Sequence, residues 1–205
     1  MFNQAIVLRN IVRDASIHAR FLNTLSLMEL LGAQKLAGLV PYLGHRTAFL
    51  EHVAEEFRHA YFLRSLAEKL SRSEIRNFNK FTLCAEQPSR NYINKLHLKI
   101  CLLLKREQLT ADIKRRAYLL STLVIETRAL PFYKAYQEAL DEAGLTLNVK
   151  SILAEEERHL ALIKEELALD AALLPLIDES TALENALYSA WLAAISRDLD
   201  LKNSP

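Results

Sequence analysis

The spacing of apolar residues predicts helices along almost the whole chain. Apolar positions recur every three to four residues, no stretch alternates as a strand does, and only 4 Gly and 5 Pro interrupt 205 residues. We therefore predict an all-α fold. Capping and turn signals divide it into a helix from the N-terminus to about Leu39, then helices at about 46–70, at Ser71 onward (short), and at about 89–106, 110–144, 147–169 and 181–199.

Two of the predicted helices carry the same pair of side chains. Glu56 and His59 lie in one, and Glu156 and His159 lie in the other. Side chains three residues apart share one face of a helix, so each carboxylate and imidazole can reach the same metal ion. A single Glu-x-x-His pair is weak support, but two pairs on long amphipathic helices favour a metal site.

Two further glutamates lie alone in apolar stretches of the helices that precede these pairs. They are Glu29 and Glu126. An unpaired carboxylate on a core-facing stripe costs several kcal/mol or stays protonated. Arg128 is the alternative partner for Glu126, but side chains two residues apart on a helix point in different directions. A divalent metal is the better account, and the chain has the pattern of one helical hairpin repeated twice.

Composition predicts one helical domain over 1–205, with a core bundle at about 14–170, a basic helical insert at about 71–108 and a C-terminal helix at about 181–199. No apolar run is long enough to span a membrane, and charges within 1–20 argue against a signal peptide. The two cysteines form no Cys-x-x-Cys pair, which is typical of a reducing cytoplasm.

Charge is segregated along the chain. Residues 69–116 contain 12 Lys or Arg against 4 Asp or Glu, whereas residues 117–205 contain 7 against 15. The basic segment is either a solvated helical surface or a docking face for a polyanion such as RNA or an acidic carrier protein. The sequence does not choose between these, nor between a monomer and a homodimer.

The ordered carboxylates and histidines resemble those of the ferritin-like di-iron carboxylate superfamily, over about residues 14–170. Within it, Ile125–Ala129 and Glu155–His159 look most like the tRNA isopentenyladenosine hydroxylase branch. The resemblance implies a four-helix bundle with extra helices in the crossover between bundle helices 2 and 3 and at the C-terminus. It also implies one metal held mainly by Glu29, Glu56 and His59, a second held mainly by Glu126, Glu156 and His159, and Glu56 and Glu126 as bridging carboxylates.

This resemblance predicts a cytoplasmic, non-haem oxidase or monooxygenase with two Fe ions, or with Mn or a mixed Mn/Fe pair. It would activate O2 and hydroxylate an organic substrate, with electrons from a separate reductase as external donor. The alternatives are a ferroxidase or peroxide-detoxifying protein, and a non-enzymatic helical adaptor that binds a polyanion. His52, four residues before Glu56, shares the ligand face and is a candidate outer residue. Small residues beside the ligands, Gly32 and Ala129 among them, predict either apolar substrate space or close helix packing.

Overall fold

The structure, a computed structural model, describes residues 4–42 and 47–203, with side chains described as far as residue 199. Within these residues the chain forms seven α-helices and no strand, which confirms the all-α prediction. The helices are α1 (Gln4–Arg13), α2 (Ala15–Leu39), α3 (Thr47–Ser71), α4 (Glu86–Arg106), α5 (Ile113–Glu142), α6 (Lys150–Ala168) and α7 (Ile177–Asn203). None of the described helices is long and apolar enough to cross a bilayer.

Helices α3 to α6 agree with the sequence prediction to within a few residues, although the expected start of α3 at Arg46 lies outside the described residues. The N-terminal helix, expected as one, is two. Asp14 interrupts it in an extended conformation, and its Oδ1 accepts hydrogen bonds from the backbone N–H groups of Ser16 (2.8 Å) and Ile17 (2.9 Å). A side chain that satisfies the free N–H groups of the next helix makes this break favourable.

The helix starts that capping signals predicted at Ser71 and Thr181 were both wrong. Ser71 ends α3, Arg72 takes a positive φ of 54°, and no α-helix begins before Glu86. The basic insert therefore contains one helix, α4, after an irregular segment. The C-terminal helix begins at Ile177 instead of Thr181, whose hydroxyl donates to the Ile177 carbonyl inside the helix. Thr and Ser inside a helix can make such a bond to the carbonyl four residues earlier.

The four helices that carry the predicted metal ligands form a closed ring. Helix α2 packs on α3, α3 on α6, α6 on α5, and α5 on α2. Helix α4 covers one side of this ring through contacts with α2 and α5, and α7 packs on α4 and α5. Helix α5 continues through Pro131. Each hairpin contributes one lone glutamate and one Glu-x-x-His pair to the interior.

Two apolar clusters lie on either side of a polar layer. On every helix of the ring, the predicted ligands fall between one residue of each cluster. The pairs that bracket them are Leu25 and Leu36 on α2, Leu63 and Phe49 on α3, Phe132 and Leu123 on α5, and Ile152 and Leu160 on α6. The packing of both clusters thus holds the polar side chains away from water.

Candidate metal centre

The structure brings all six predicted side chains together in the polar layer. Together with His52, these residues form two sets of donor atoms, and within each set the atoms lie within 4.8 Å of one another. The Glu29 set consists of Glu29, Glu56, His59 and Glu156. The Glu126 set consists of His52, Glu56, Glu126 and His159.

Glu56 belongs to both sets, which is the position expected of a bridging carboxylate. Its Oε1 lies 3.2 Å from Nδ1 of His159, 3.3 Å from Nε2 of His52 and 4.0 Å from Nδ1 of His59. The grouping differs from the expected one at Glu156, which lies with Glu29 instead of with Glu126. Glu126 itself appears in only one set, although it lies against Glu156.

His52 contributes directly to the layer, whereas the sequence indicated only an outer role. Its side chain is 2% exposed, and its Nε2 lies 3.3 Å from both Glu56 and Glu126. The His52 ring stacks on that of His159, with 3.8 Å between ring centroids. The signal was present in the sequence, because His52 is four residues before Glu56. The equivalent position of the second hairpin, however, is Ile152 and not a histidine.

Each Glu-x-x-His histidine is held by a carboxylate from the other hairpin. Nε2 of His59 donates to Glu155 (2.7 Å), and Nε2 of His159 donates to Glu55 (2.8 Å). Because a carboxylate can only accept, these bonds place the proton on Nε2 and turn Nδ1 toward the centre.

Two arginines complete this reciprocal arrangement. Arg58 lies 2.7 Å from Glu155, and Arg158 lies 2.7 Å from Glu55, so each Glu accepts from a histidine and an arginine. The repeated Glu-Glu-x-Arg-His string was the available signal, with the first Glu of each string serving the histidine of the other. These interactions join α3 to α6 across the layer.

Burial and mutual repulsion divide the four carboxyl groups into two kinds. Burial raises the pKa of Glu29 well above its usual value, and the charges of Glu56 and Glu156 raise it further. Burial and the charge of Glu156 likewise raise the pKa of Glu126. Burial and the charge of Glu156 also oppose ionisation of Glu56, but the close contacts with His159 and His52 lower its pKa to about 2. Burial opposes ionisation of Glu156 as well, but its close contacts with Glu126, His159 and His59 lower its pKa.

The surroundings of His59 and His159 favour their protonated forms in the metal-free protein. Burial lowers their pKa values, but the neighbouring carboxylates outweigh it and raise them to about 9 for His59 and about 10 for His159. At pH 7 two imidazolium ions therefore balance the ionised Glu56 and Glu156, while Glu29 and Glu126 tend to stay protonated. Two divalent ions that displace these protons would leave the buried charge unchanged.

Several buried atoms of the layer are left without a hydrogen bond among the described residues. They include Nδ1 of His59 and Oε1 of Glu56. A carboxylate oxygen of Glu156 lies 3.3 Å from Nδ1 of His59, but the alignment makes no hydrogen bond. Unsatisfied buried donors and acceptors are costly, and a cation coordinated by these atoms would satisfy them. The donor set of carboxylates and imidazoles therefore fits divalent metal ions.

A cavity of about 140 Å³ opens beside the layer, between α2, α4, α5 and α7. Glu29, Glu56, Glu126 and Glu156 form one part of its wall. Gly32 and Ala129, two of the small residues expected to leave space, also line it. Tyr133 lies on the same wall and donates a short hydrogen bond to Glu29.

Many charges of the basic segment are paired within the protein. Arg106 lies 2.6 Å from Glu179, Arg116 lies 2.9 Å from Asp170, and Arg115 contacts Asp170 as well. These ion pairs join the basic segment to the acidic C-terminal part, so the opposed charges along the chain partly neutralise each other. RNA or an acidic carrier as partner of 69–116 stays a prediction.

Comparison of the chain with protein-family models, curated proteins and solved structures gave no match. The account of function therefore depends on the geometry of the polar layer and the cavity.

Proposed function

We propose that this protein is a ferritin-like, non-haem di-iron or di-manganese oxidoreductase that activates O2 and hydroxylates an organic substrate. The observation that carries the proposal is the pair of four-donor sets that share Glu56 inside an apolar interior. Four helices with a lone Glu on two of them and a Glu-x-x-His pair on the other two match the ligand arrangement of di-iron carboxylate bundles.

The contacts of the four glutamates favour metal ions over ion pairs. Among the described residues, none of the four lies in a salt bridge with Lys or Arg, and their close partners are histidines, one another and Tyr133. Arg128, the alternative partner for Glu126, instead pairs with Glu184 on α7 at 3.0 Å. This weighs against the adaptor hypothesis, in which the glutamates would serve only as ion-pair partners.

Carboxylates and imidazoles suit Fe(II) and Mn(II) equally, so the residues leave the choice of metal to experiment. When bound, the two ions would supply electrons and Lewis acidity for the reduction of O2. Hydroxylation takes one oxygen atom into a C–H bond and releases the other as water, which requires two electrons and two protons. A separate one-electron carrier or reductase would have to supply those electrons.

The residues of the chain would orient the ligands and keep water out. Glu55 and Glu155 fix the rings of the two motif histidines, so that Nδ1 of each faces the metal position. The Tyr133 hydroxyl holds one oxygen of Glu29 at the wall of the cavity. The two apolar clusters above and below the layer limit access of water to the reacting atoms.

The cavity favours an organic substrate over simple iron oxidation. It reaches carboxylates of both sets and is otherwise lined mainly by apolar and aromatic side chains. A ferroxidase needs a path for hydrated iron, which polar or acidic walls would provide, whereas apolar walls suit a hydrocarbon group.

Anaerobic titration with Fe(II), followed by exposure to O2, tests the proposal. We expect about two Fe(II) per chain to bind and a visible absorption band to develop after mixing with O2. Glu56→Gln, which alters the donor common to both sets, should abolish the band, while Glu157→Gln, an exposed neighbour on α6, should retain it. Absence of the band in the wild-type protein would refute an O2-activating centre. Sustained oxidation of many Fe(II) per chain would favour the ferroxidase alternative.

A further inference from the structure

The wall of the cavity beside the polar layer includes one lysine that forms no ion pair among the described residues. Lys35, on α2, lines the cavity, and among the described residues no carboxylate lies within salt-bridge distance of it. Its ammonium group has one weak acceptor, the Asn94 side chain at 3.4 Å. Burial lowers the pKa of Lys35, which reflects the cost of holding this charge partly out of water.

The other basic groups on the cavity wall, Arg128 and His97, cannot neutralise an anionic ligand as Lys35 can. Arg128 is neutralised by Glu184, which accepts hydrogen bonds from Nε and Nη2 of Arg128. His97 is uncharged at neutral pH, because burial and the nearby Lys35 charge lower its pKa to about 4. Its buried Nδ1 nevertheless has no hydrogen-bond partner among the described residues, so a polar atom of a ligand could satisfy it.

The acidic and basic parts of the wall lie at different heights along α2. Glu29 and Lys35 are six residues apart, which corresponds to a rise of about 9 Å. Apolar residues lie between and around them, including Ile93 and Leu36. A cavity of about 140 Å³ is close to the roughly 150 Å³ that holds a benzene molecule in another protein. It therefore has room for an aliphatic chain of about six carbons.

We propose that the cavity binds a medium-chain aliphatic monocarboxylate, with its carboxylate on Lys35 and its chain directed toward the carboxylates of the polar layer. This substrate class rests on the proposed function, which it makes specific. The orientation follows from charge, because Lys35 attracts an anion, whereas the charges of the polar layer at the other end balance one another. A monoanion fits a single uncompensated cation better than a phosphate dianion does. His97 is placed to contribute a second hydrogen bond at the same end.

Calorimetric titration of the full-length protein with octanoate and with 1-octanol tests the proposal. It should be done on Mn(II)-loaded protein and on protein treated with a chelator. We expect octanoate to bind about tenfold more tightly than octanol in both forms, because only octanoate forms a charge-assisted hydrogen bond with Lys35. Lys35→Met keeps the length of the side chain and should abolish the difference. Lys99→Met, at an exposed position of α4 outside the cavity, should preserve it.

A second variant tests whether the ligand occupies this cavity. A Cβ at Gly32 would lie 3.7 Å from Cδ1 of Ile93, an ordinary contact, so the rest of a larger side chain must enter the free space. Gly32→Leu should therefore weaken octanoate and octanol alike, by about tenfold. Unchanged binding to Gly32→Leu would overturn the proposal.

Three other outcomes would also overturn the proposal. They are equal affinity for octanoate and octanol, octanoate binding that Lys35→Met leaves unchanged, and octanoate binding that disappears with the metal. The last would mean that the carboxylate coordinates the metal instead of Lys35. Failure of the protein to bind Mn(II) or Fe(II) would refute the proposed function, while the chelator-treated protein would still report on the cavity.

Discussion

Replacement of either Glu55 or Glu155 by Gln should weaken the binding of only one of the two metal ions. Glu55 holds His159, a member of the Glu126 set, and Glu155 holds His59, a member of the Glu29 set. Gln can still accept the hydrogen bond through its amide oxygen, but it removes the negative charge that makes the imidazole a better donor to a cation. Each variant should therefore affect the set that contains its own histidine.

The expected magnitude follows from the burial of each pair. Loss of an outer partner of a ligating histidine typically costs roughly 10- to 100-fold in metal affinity, or about 1.4–2.7 kcal/mol. The Glu55 side chain is 8% exposed and that of Glu155 is 18% exposed, so the charge of Glu55 is less screened. We expect a loss near the upper limit for Glu55→Gln and near the lower limit for Glu155→Gln. The half-exposed Arg58 and Arg158 should add little.

Stepwise Mn(II) titration, followed by the electron paramagnetic resonance of free Mn(II), measures both affinities in one experiment. Each variant should weaken the binding of one Mn(II) ion and leave the affinity for the other near its wild-type value. Glu157→Gln adds the same change at an exposed position of α6 and should match the wild-type protein. If Glu55→Gln and Glu155→Gln both bind two ions with wild-type affinity, the reciprocal hydrogen bonds do not support metal ligands.

Three further predictions concern pH, His52 and the core. In the metal-free protein the raised pKa values of His59 and His159 provide stability that is complete below about pH 6.5 and is lost as the pH rises through about 9 to 10. Urea unfolding should show that the free energy of unfolding decreases over this range, by roughly 3 kcal/mol from His59 alone. The apparent affinity for Mn(II) should rise over the same range, because fewer protons compete with the metal. His52→Ala removes a donor of the Glu126 set, so metal analysis after dialysis should find about one ion per chain. Tyr136→Phe leaves Nε2 of the buried His18 without its partner at 2.5 Å and should lower the free energy of unfolding by about 1–3 kcal/mol, with Mn(II) stoichiometry unchanged as the control.

Periodicity predicted the helices and the six polar residues because both depend on local spacing. A Glu and a His three residues apart share a helix face whatever the helix packs against. The same reasoning pointed to His52, but only packing could decide that it faces Glu56 and Glu126 in the centre. Single-residue preferences were less informative at helix ends, where Asp14 and Thr181 could each either cap a helix or not.

Contacts between the two hairpins could not be predicted from local spacing. Glu55 and Glu155 act on histidines about a hundred residues away, so their role depends on how α3 and α6 meet. The cavity also depends on contacts between distant parts of the chain. Helix α4, in the crossover between α3 and α5, forms one of its walls and places His97 near Lys35 on α2. The neutralisation of Arg128 by Glu184 likewise required the position of α7.

Metal stoichiometry tests the central claim most directly. The full-length protein should be loaded anaerobically with Fe(II), freed of excess metal, and analysed beside Glu56→Gln. We predict about two ions per wild-type chain and a loss at both positions in the variant, because Glu56 belongs to both donor sets. No retained iron or manganese, or the same stoichiometry in Glu56→Gln, would contradict a shared two-metal centre.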